Sequence, residues 1–98
     1  MDFLIEYRVP ADKVAVQEVA VRDFISAVKA SNDAGYRYTS FKKPDGVSFV
    51  YHAWMVDEEA QKRFQSLPEF KPFAEGLKAR AEQGPEASKL DLVTTSGD

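Results

Sequence analysis

The sequence contains one histidine, His52, and it stands two residues before the only tryptophan, Trp54. In an extended segment alternate side chains share a face, so the imidazole and the indole lie side by side. Imidazole titrates near neutrality, which suits a general acid or base. Indole offers a flat surface to a planar ligand. Together they describe a base in an aromatic cavity, able to deprotonate a phenolic substrate and make it electron-rich enough to react directly with O₂. The same pair also fits a half-buried histidine bonded to a neighbour beside a large core side chain. Four tyrosines, Tyr7, Tyr36, Tyr38 and Tyr51, are candidate hydrogen-bond donors or cavity walls, and equally packing residues. Asp57, Glu58 and Glu59 form an acidic run, but at a helix start they favour the helix dipole and read as capping rather than as metal ligands.

Several chemistries are excluded. The chain has no cysteine, so disulfides, thiolate nucleophiles and zinc–thiolate sites are ruled out. One histidine without an acidic spacing motif gives no dedicated metal site. There is no phosphate loop, no G-x-S-x-G and no dinucleotide fingerprint. No metal and no cofactor are therefore expected. The net charge of −3, without a visible basic patch, disfavours nucleic acid and anionic membrane as partners. The start of the chain, Met1-Asp2-Phe3-Leu4-Ile5-Glu6, lacks the features of a signal peptide, and no stretch approaches the roughly 20 apolar residues of a membrane span. A cytoplasmic location is the expectation.

The elements that must position these residues follow from the hydrophobic period. The 98 residues amount to one domain, 1–98, with 44% hydrophobic and 30% charged residues, as in an ordinary globular chain. A first strand spans Phe3 to Val9, with Phe3, Ile5, Tyr7 and Val9 on one face and Leu4, Glu6 and Arg8 on the other. Asp12 reads as the cap of a helix whose apolar stripe is Val14, Val21, Phe24, Ile25 and Val28, with Gln17 among the polar residues opposite. Ser31 to Gly35 ends it. Tyr36 to Lys43 and Val47 to Val56 form a hairpin about the turn Lys43-Pro44-Asp45-Gly46. Asp57 caps a short helix from Glu58 to about Gln65. Ser66-Leu67-Pro68-Glu69 has the form of a capping box for a further helix carrying Phe70, Phe73, Ala74, Leu77 and Ala81, which Gly84-Pro85 stops. Lys89 to Thr95 is the last strand, and Ser96-Gly97-Asp98 a frayed end.

The third strand is apolar on both faces: Phe49, Tyr51, Ala53 and Met55 on one, Val50, His52, Trp54 and Val56 on the other. Right-handed crossovers put both helical layers on one side of the sheet. The other side is then left bare, and the expectation is a homodimer through a sheet face bearing Leu4, Phe49, Tyr51 and Met55.

The element order, the segment Phe49-Val50-Tyr51-His52-Ala53-Trp54-Met55-Val56-Asp57-Glu58-Glu59-Ala60 and the segment Leu67-Pro68-Glu69-Phe70-Lys71-Pro72-Phe73 resemble the antibiotic biosynthesis monooxygenase-like domains of the dimeric α/β-barrel superfamily. Members often show an acidic residue, one residue and a tryptophan at the end of a strand, then a capped helix, then a helix opening on a Phe-x-x-Phe-like pair. Trp54 matches that tryptophan, and His52 stands where many members have the acidic residue. The resemblance implies an α+β, ferredoxin-like βαββαβ fold, an antiparallel sheet with helices on one face, and pairing into a dimeric barrel. It also implies a ligand cavity between sheet and helices, here assigned Trp54, Tyr7, Val50 and Phe73 as substrate-binding residues and His52 as general base, with Tyr7 on the face of Trp54. The haem-degrading branch is excluded: Tyr7 stands where that branch has an asparagine, and Phe73 or Ala74 where it has a histidine. Two function classes remain. One is a cofactor-independent monooxygenase-like protein acting on a small aromatic or quinol-type substrate. The other is a non-catalytic dimeric domain of the same fold that binds a small molecule or is purely structural.

Overall fold

The computed structural model describes residues 1–97, so Asp98, in the expected frayed end, lies outside it. Strand β1 (Asp2–Arg8) is followed by a 3₁₀ turn (Ala11–Lys13) and helix α1 (Val14–Ala30). The hairpin β2 (Tyr36–Lys42) and β3 (Ser48–Met55) comes next, then helices α2 (Glu58–Gln65) and α3 (Phe70–Arg80) and strand β4 (Gln83–Leu90). The four strands form one sheet in the order β2-β3-β1-β4, and each neighbouring pair is antiparallel. This is the α+β, ferredoxin-like arrangement, with all helices on one face.

Local chemistry explains the joints. The hairpin turn closes with the Gly46 amide donating to the Lys43 carbonyl at 3.0 Å, and Gly46 takes φ +79, which its missing Cβ permits. The Asp45 carboxylate accepts from the amides of Val47 and Ser48, both at 2.9 Å. Asp57 caps α2 as expected, accepting from the Ala60 amide at 2.8 Å.

Two expected caps are corrected. Asp12 lies inside the 3₁₀ turn, and α1 starts without a side-chain cap. Ser66 turns back and donates to the Lys62 carbonyl at 2.7 Å, so it closes α2 instead of opening α3. The last strand also sits earlier than Lys89 to Thr95. Its edge position and polar sequence, with Gly84 and Pro85 at its start, hide it from a hydrophobicity reading. A Cβ at Gly84 would meet the Glu6 carbonyl oxygen at 2.7 Å, so glycine is required where β4 meets the bulge in β1.

The sheet face opposite the helices carries a further correction. Leu4 stands directly across from His52 in the β1–β3 ladder, whereas Ile5 stands across from Tyr51. Leu4 therefore shares the outer face with Val50, His52 and Trp54. Phe49, Tyr51 and Met55 point the other way and are buried beneath the helices. The expected docking face of Leu4, Phe49, Tyr51 and Met55 is thus not one face. Two-residue alternation separates the sets within each strand, but only the cross-strand register joins them.

The core is an aromatic cluster. Phe24 of α1 stacks on Phe73 of α3 with ring centres 4.3 Å apart and planes 5° apart. It also meets Tyr38 and Phe64 edge-on at 5.5 and 5.7 Å. Phe24 thus joins α1, α2 and α3 to the sheet. Phe24→Ala should cost about 3–5 kcal/mol of folding free energy, read as a lowered urea midpoint with an unchanged slope. A loss below about 1 kcal/mol would show that the cluster does not depend on this ring.

Candidate functional site

Between the sheet and the helices α2 and α3 lies a cavity of about 260 Å³. Phe3 and Ile5 of β1, Tyr38 of β2, and Ala53 and Met55 of β3 form its floor. Phe64, Phe70, Phe73 and Leu77 form its roof, with Pro85 and Ala87 of β4 along the side. Its polar fringe is Gln61, Gln65 and Lys78, of which Gln65 and Lys78 are exposed. Helix periodicity explains the roof: Phe70, Phe73, Ala74 and Leu77 recur at spacings of three and four and so face one way.

Beside this cavity runs a chain of hydrogen bonds, part-buried at its Arg80 end and buried beyond it. Arg80, in the last turn of α3, donates its Nε to Gln17 Oε1 at 2.6 Å. Gln17 Nε2 donates to the Tyr7 hydroxyl at 2.7 Å, and the hydroxyls of Tyr7 and Tyr51 are bonded to one another. Gln17 and Tyr51 are fully buried, at 0% exposure each. The amide suits this place because it accepts from a guanidinium and donates to a phenol at once. Tyr51 carries the network to the cavity wall, its ring 5.1 Å from that of Tyr38 and 6.1 Å from that of Phe73.

Burial pushes the phenols of Tyr7, Tyr38 and Tyr51 above the ordinary tyrosine range. For Tyr7, hydrogen bonds from Tyr51 and Gln17 and the charge of Arg80 pull the other way without cancelling the burial. All three are therefore neutral donors near neutral pH. None can act as a resident base, and of the three only Tyr38 lines the cavity, the Tyr7 and Tyr51 hydroxyls being bonded to one another.

The residues expected to surround one ligand divide between the two faces. Tyr7 and Phe73 are on the helix side, where Tyr7 stacks on Phe49 with centres 5.2 Å apart. Val50, His52 and Trp54 are on the outer side, since they stand across β1 from Glu6, Leu4 and Asp2. Tyr7 therefore does not share a face with Trp54, and His52 cannot reach the cavity of its own chain. His52 Nε2 instead meets Asp2 Oδ1 at 2.8 Å. Alongside it, Arg37, Thr39, Phe41 and Trp54 line a groove of about 710 Å³ with Leu92 and Val93, which follow β4.

The expectation that Gln17 lies on the polar face of α1 is likewise corrected. Gln17 falls on the stripe of Val21, Phe24 and Val28 at spacings of four, three and four, so helical periodicity alone could have placed it inward. Nothing comparable marks Arg80, which is brought in only by the packing of α3 on α1.

The three raised phenols make a testable pH dependence. Their folded-state pKa values lie above the unfolded value, so the stability they lend is whole below about pH 10 and is lost as pH rises through the folded values. In an alkaline titration, phenolate absorbance from Tyr7, Tyr38 and Tyr51 should rise only together with loss of far-ultraviolet ellipticity. More than one phenolate in the intact fold would contradict this.

Comparisons with family models and with curated proteins each find no match. Solved structures do match. SnoaB from Streptomyces nogalater, described as a cofactor-independent oxygenase and solved as a variant, superposes with a TM-score of 0.79 at 22% identity, covering 99% of this chain and 96% of that one. A protein described as an antibiotic biosynthesis monooxygenase gives 0.81 at 14% identity, covering 95% and 98%. Rv0793 from Mycobacterium tuberculosis gives 0.83 at 12% identity, covering 98% and 97%. The element order, the four-stranded antiparallel sheet and these superpositions over nearly the whole chain agree, and the chain has the fold of the antibiotic biosynthesis monooxygenase domains.

Proposed function

We propose that the protein takes a small aromatic or quinol-type molecule into the cavity under α2 and α3 and oxidises it as a monooxygenase-like enzyme without a resident cofactor. The observation that carries this reading is the cavity of about 260 Å³, walled by rings and aliphatic side chains. An apolar cavity of about 150 Å³ takes benzene, so this one suits a molecule of one or two rings. A quinol or an activated aromatic methylene carries its own reducing electrons. Once it loses a proton it passes them to O₂; one oxygen atom stays on carbon, as a carbonyl on the methylene or as a ring hydroxyl on the quinone formed from the quinol, and the other leaves as water. The protein then has to exclude water, hold the ring between flat walls and donate to the developing oxyanion. The cofactor-independent chemistry in the description of SnoaB supports the same reading.

His52 is not the base of this version, because it lies on the far side of the sheet. Deprotonation rests on the substrate's own acidity, raised by hydrogen-bond donors to its developing oxyanion, and the proton leaves to solvent. A second reading, binding without turnover, is favoured by the absence of any carboxylate or imidazole among the cavity's lining residues. An oxygen electrode with anthrone as substrate separates the two. Catalysis predicts consumption of one O₂ per anthrone above the spontaneous rate. Saturable binding with no added uptake leaves the binding reading, and neither result removes the cavity as a site.

We further infer that a second copy covers the outer sheet face, now assigned to Leu4, Phe41, Val50, Trp54 and Leu90 rather than to the set expected from sequence. Phe41 is 57% exposed and Leu90 39% exposed in the single chain. Phe41 stands directly across from Val50, and Leu4, Trp54 and Leu90 share that face with Asp2, Glu6, Arg37 and His52 between them. Light scattering should give twice the chain mass, and Val50→Asp should halve it while the ellipticity stays unchanged. A native monomer at micromolar concentration would rule this out.

A further inference from the structure

The geometry points to Tyr38 as the residue that selects among cavity ligands, by donating its hydroxyl to an oxygen acceptor on the bound molecule. This rests on the reading of the cavity as a ligand site. Of the four tyrosines, Tyr7 and Tyr51 bond to one another, and Tyr36 bonds to the Ser31 hydroxyl at 2.5 Å. Tyr38 alone makes no hydrogen bond among the described residues; burial and the nearby Tyr7 account for its perturbation, with no bonded partner. Its oxygen is not sealed in the core, because no fully buried side-chain polar atom among the described residues lacks a partner. It therefore keeps some accessible surface, and Tyr38 is among the residues that line the apolar cavity.

The ring is held firmly. Phe64 lies against it at 5.2 Å with planes 29° apart, Tyr51 at 5.1 Å, and Phe24 meets it edge-on at 5.5 Å. The hydroxyl is thus a fixed donor, not a swinging one. The other polar fringe residues, Gln61, Gln65 and Lys78, come from the helices, and two of them face solvent. A ligand carrying a carbonyl or phenolic oxygen on an apolar ring satisfies the donor and the walls together. A plain hydrocarbon of the same shape leaves the donor unmade, and that asymmetry is the basis of selection.

Tetralin and 1-tetralone test this, because they differ by one carbonyl on the same two-ring frame. Tyr38→Phe removes the hydroxyl and keeps the ring, so the walls stay in place. Measured by calorimetry on the native chain, the variant should bind 1-tetralone about three- to tenfold more weakly, the range of one hydrogen bond. Tetralin affinity should change by less than twofold. The carbonyl stretch of bound 1-tetralone should shift to lower frequency in the native protein and return in the variant, which a merely structural effect would not produce. If both probes bind and Tyr38→Phe changes neither affinity nor the carbonyl band, the role of Tyr38 is overturned while the cavity stands. If neither probe binds the native chain, the cavity reading falls and this inference with it.

Discussion

In the central strand pair, Ile5 stands opposite Tyr51 and Leu4 opposite His52. A slip of one residue would send every inner side chain outward. This register is the constraint on which the cavity, the buried network and the bare face all depend. It is pinned at both ends: the Met55 amide donates to the Met1 carbonyl at 2.9 Å, and the Val9 amide to the Val47 carbonyl at 3.1 Å. On the inner face the stack of Tyr7 on Phe49 and the bond between Tyr7 and Tyr51 require the same alignment. Cross-strand aromatic pairs of this kind make a slipped register costly on the inner face alone.

The buried network turns that alignment into a docking rule for the helices. An amide such as Gln17 is expensive to bury unless its groups are bonded, and here it is bonded on both sides, to Arg80 and to Tyr7. The three partners come from α3, α1 and β1, so the network forms only when both helices sit correctly on the sheet. Aromatic packing around Phe24 supplies attraction but tolerates sliding. The hydrogen bonds supply the direction that packing lacks. The cavity is left beside this fixed point, under the part of α3 that packs across α2 and β4.

Much of the fold could be read from periodicity and turn chemistry. The hairpin about Pro44 and Gly46, the cap at Asp57 and the aromatic stripe of α3 each rest on residues a few positions apart, and local rules describe such spacings. The candidate site was less legible, because it depends on pairings between distant segments. The third strand shows two apolar sets, and nothing within it tells which set the helices cover. The inner set contains Tyr51 and Ala53; the outer set contains His52 and Trp54, whose chemistry drew attention to the wrong side. Gln17 was misplaced for a related reason: a polar residue type outweighed its position on the stripe. The strand β4 escaped because an edge strand with one exposed face needs few apolar residues.

The division of β3 between two faces bears on how the proposed ligand site and the proposed assembly would combine. Ala53 and Met55 touch the cavity, while His52 and Trp54, their immediate neighbours, face the other way. One backbone therefore forms the wall of both regions. A paired sheet cannot easily flex at one residue without disturbing the ladders to β1 and β2 on either side. Covering the outer face would stiffen the floor of the cavity without any side chain crossing from one side to the other. An unpaired phenol such as Tyr38 gains from that stiffness, because a hydrogen bond discriminates between ligands only while its donor stays fixed. The proposed sheet pairing on one face and the proposed ligand selection on the other would be linked through the strand they share.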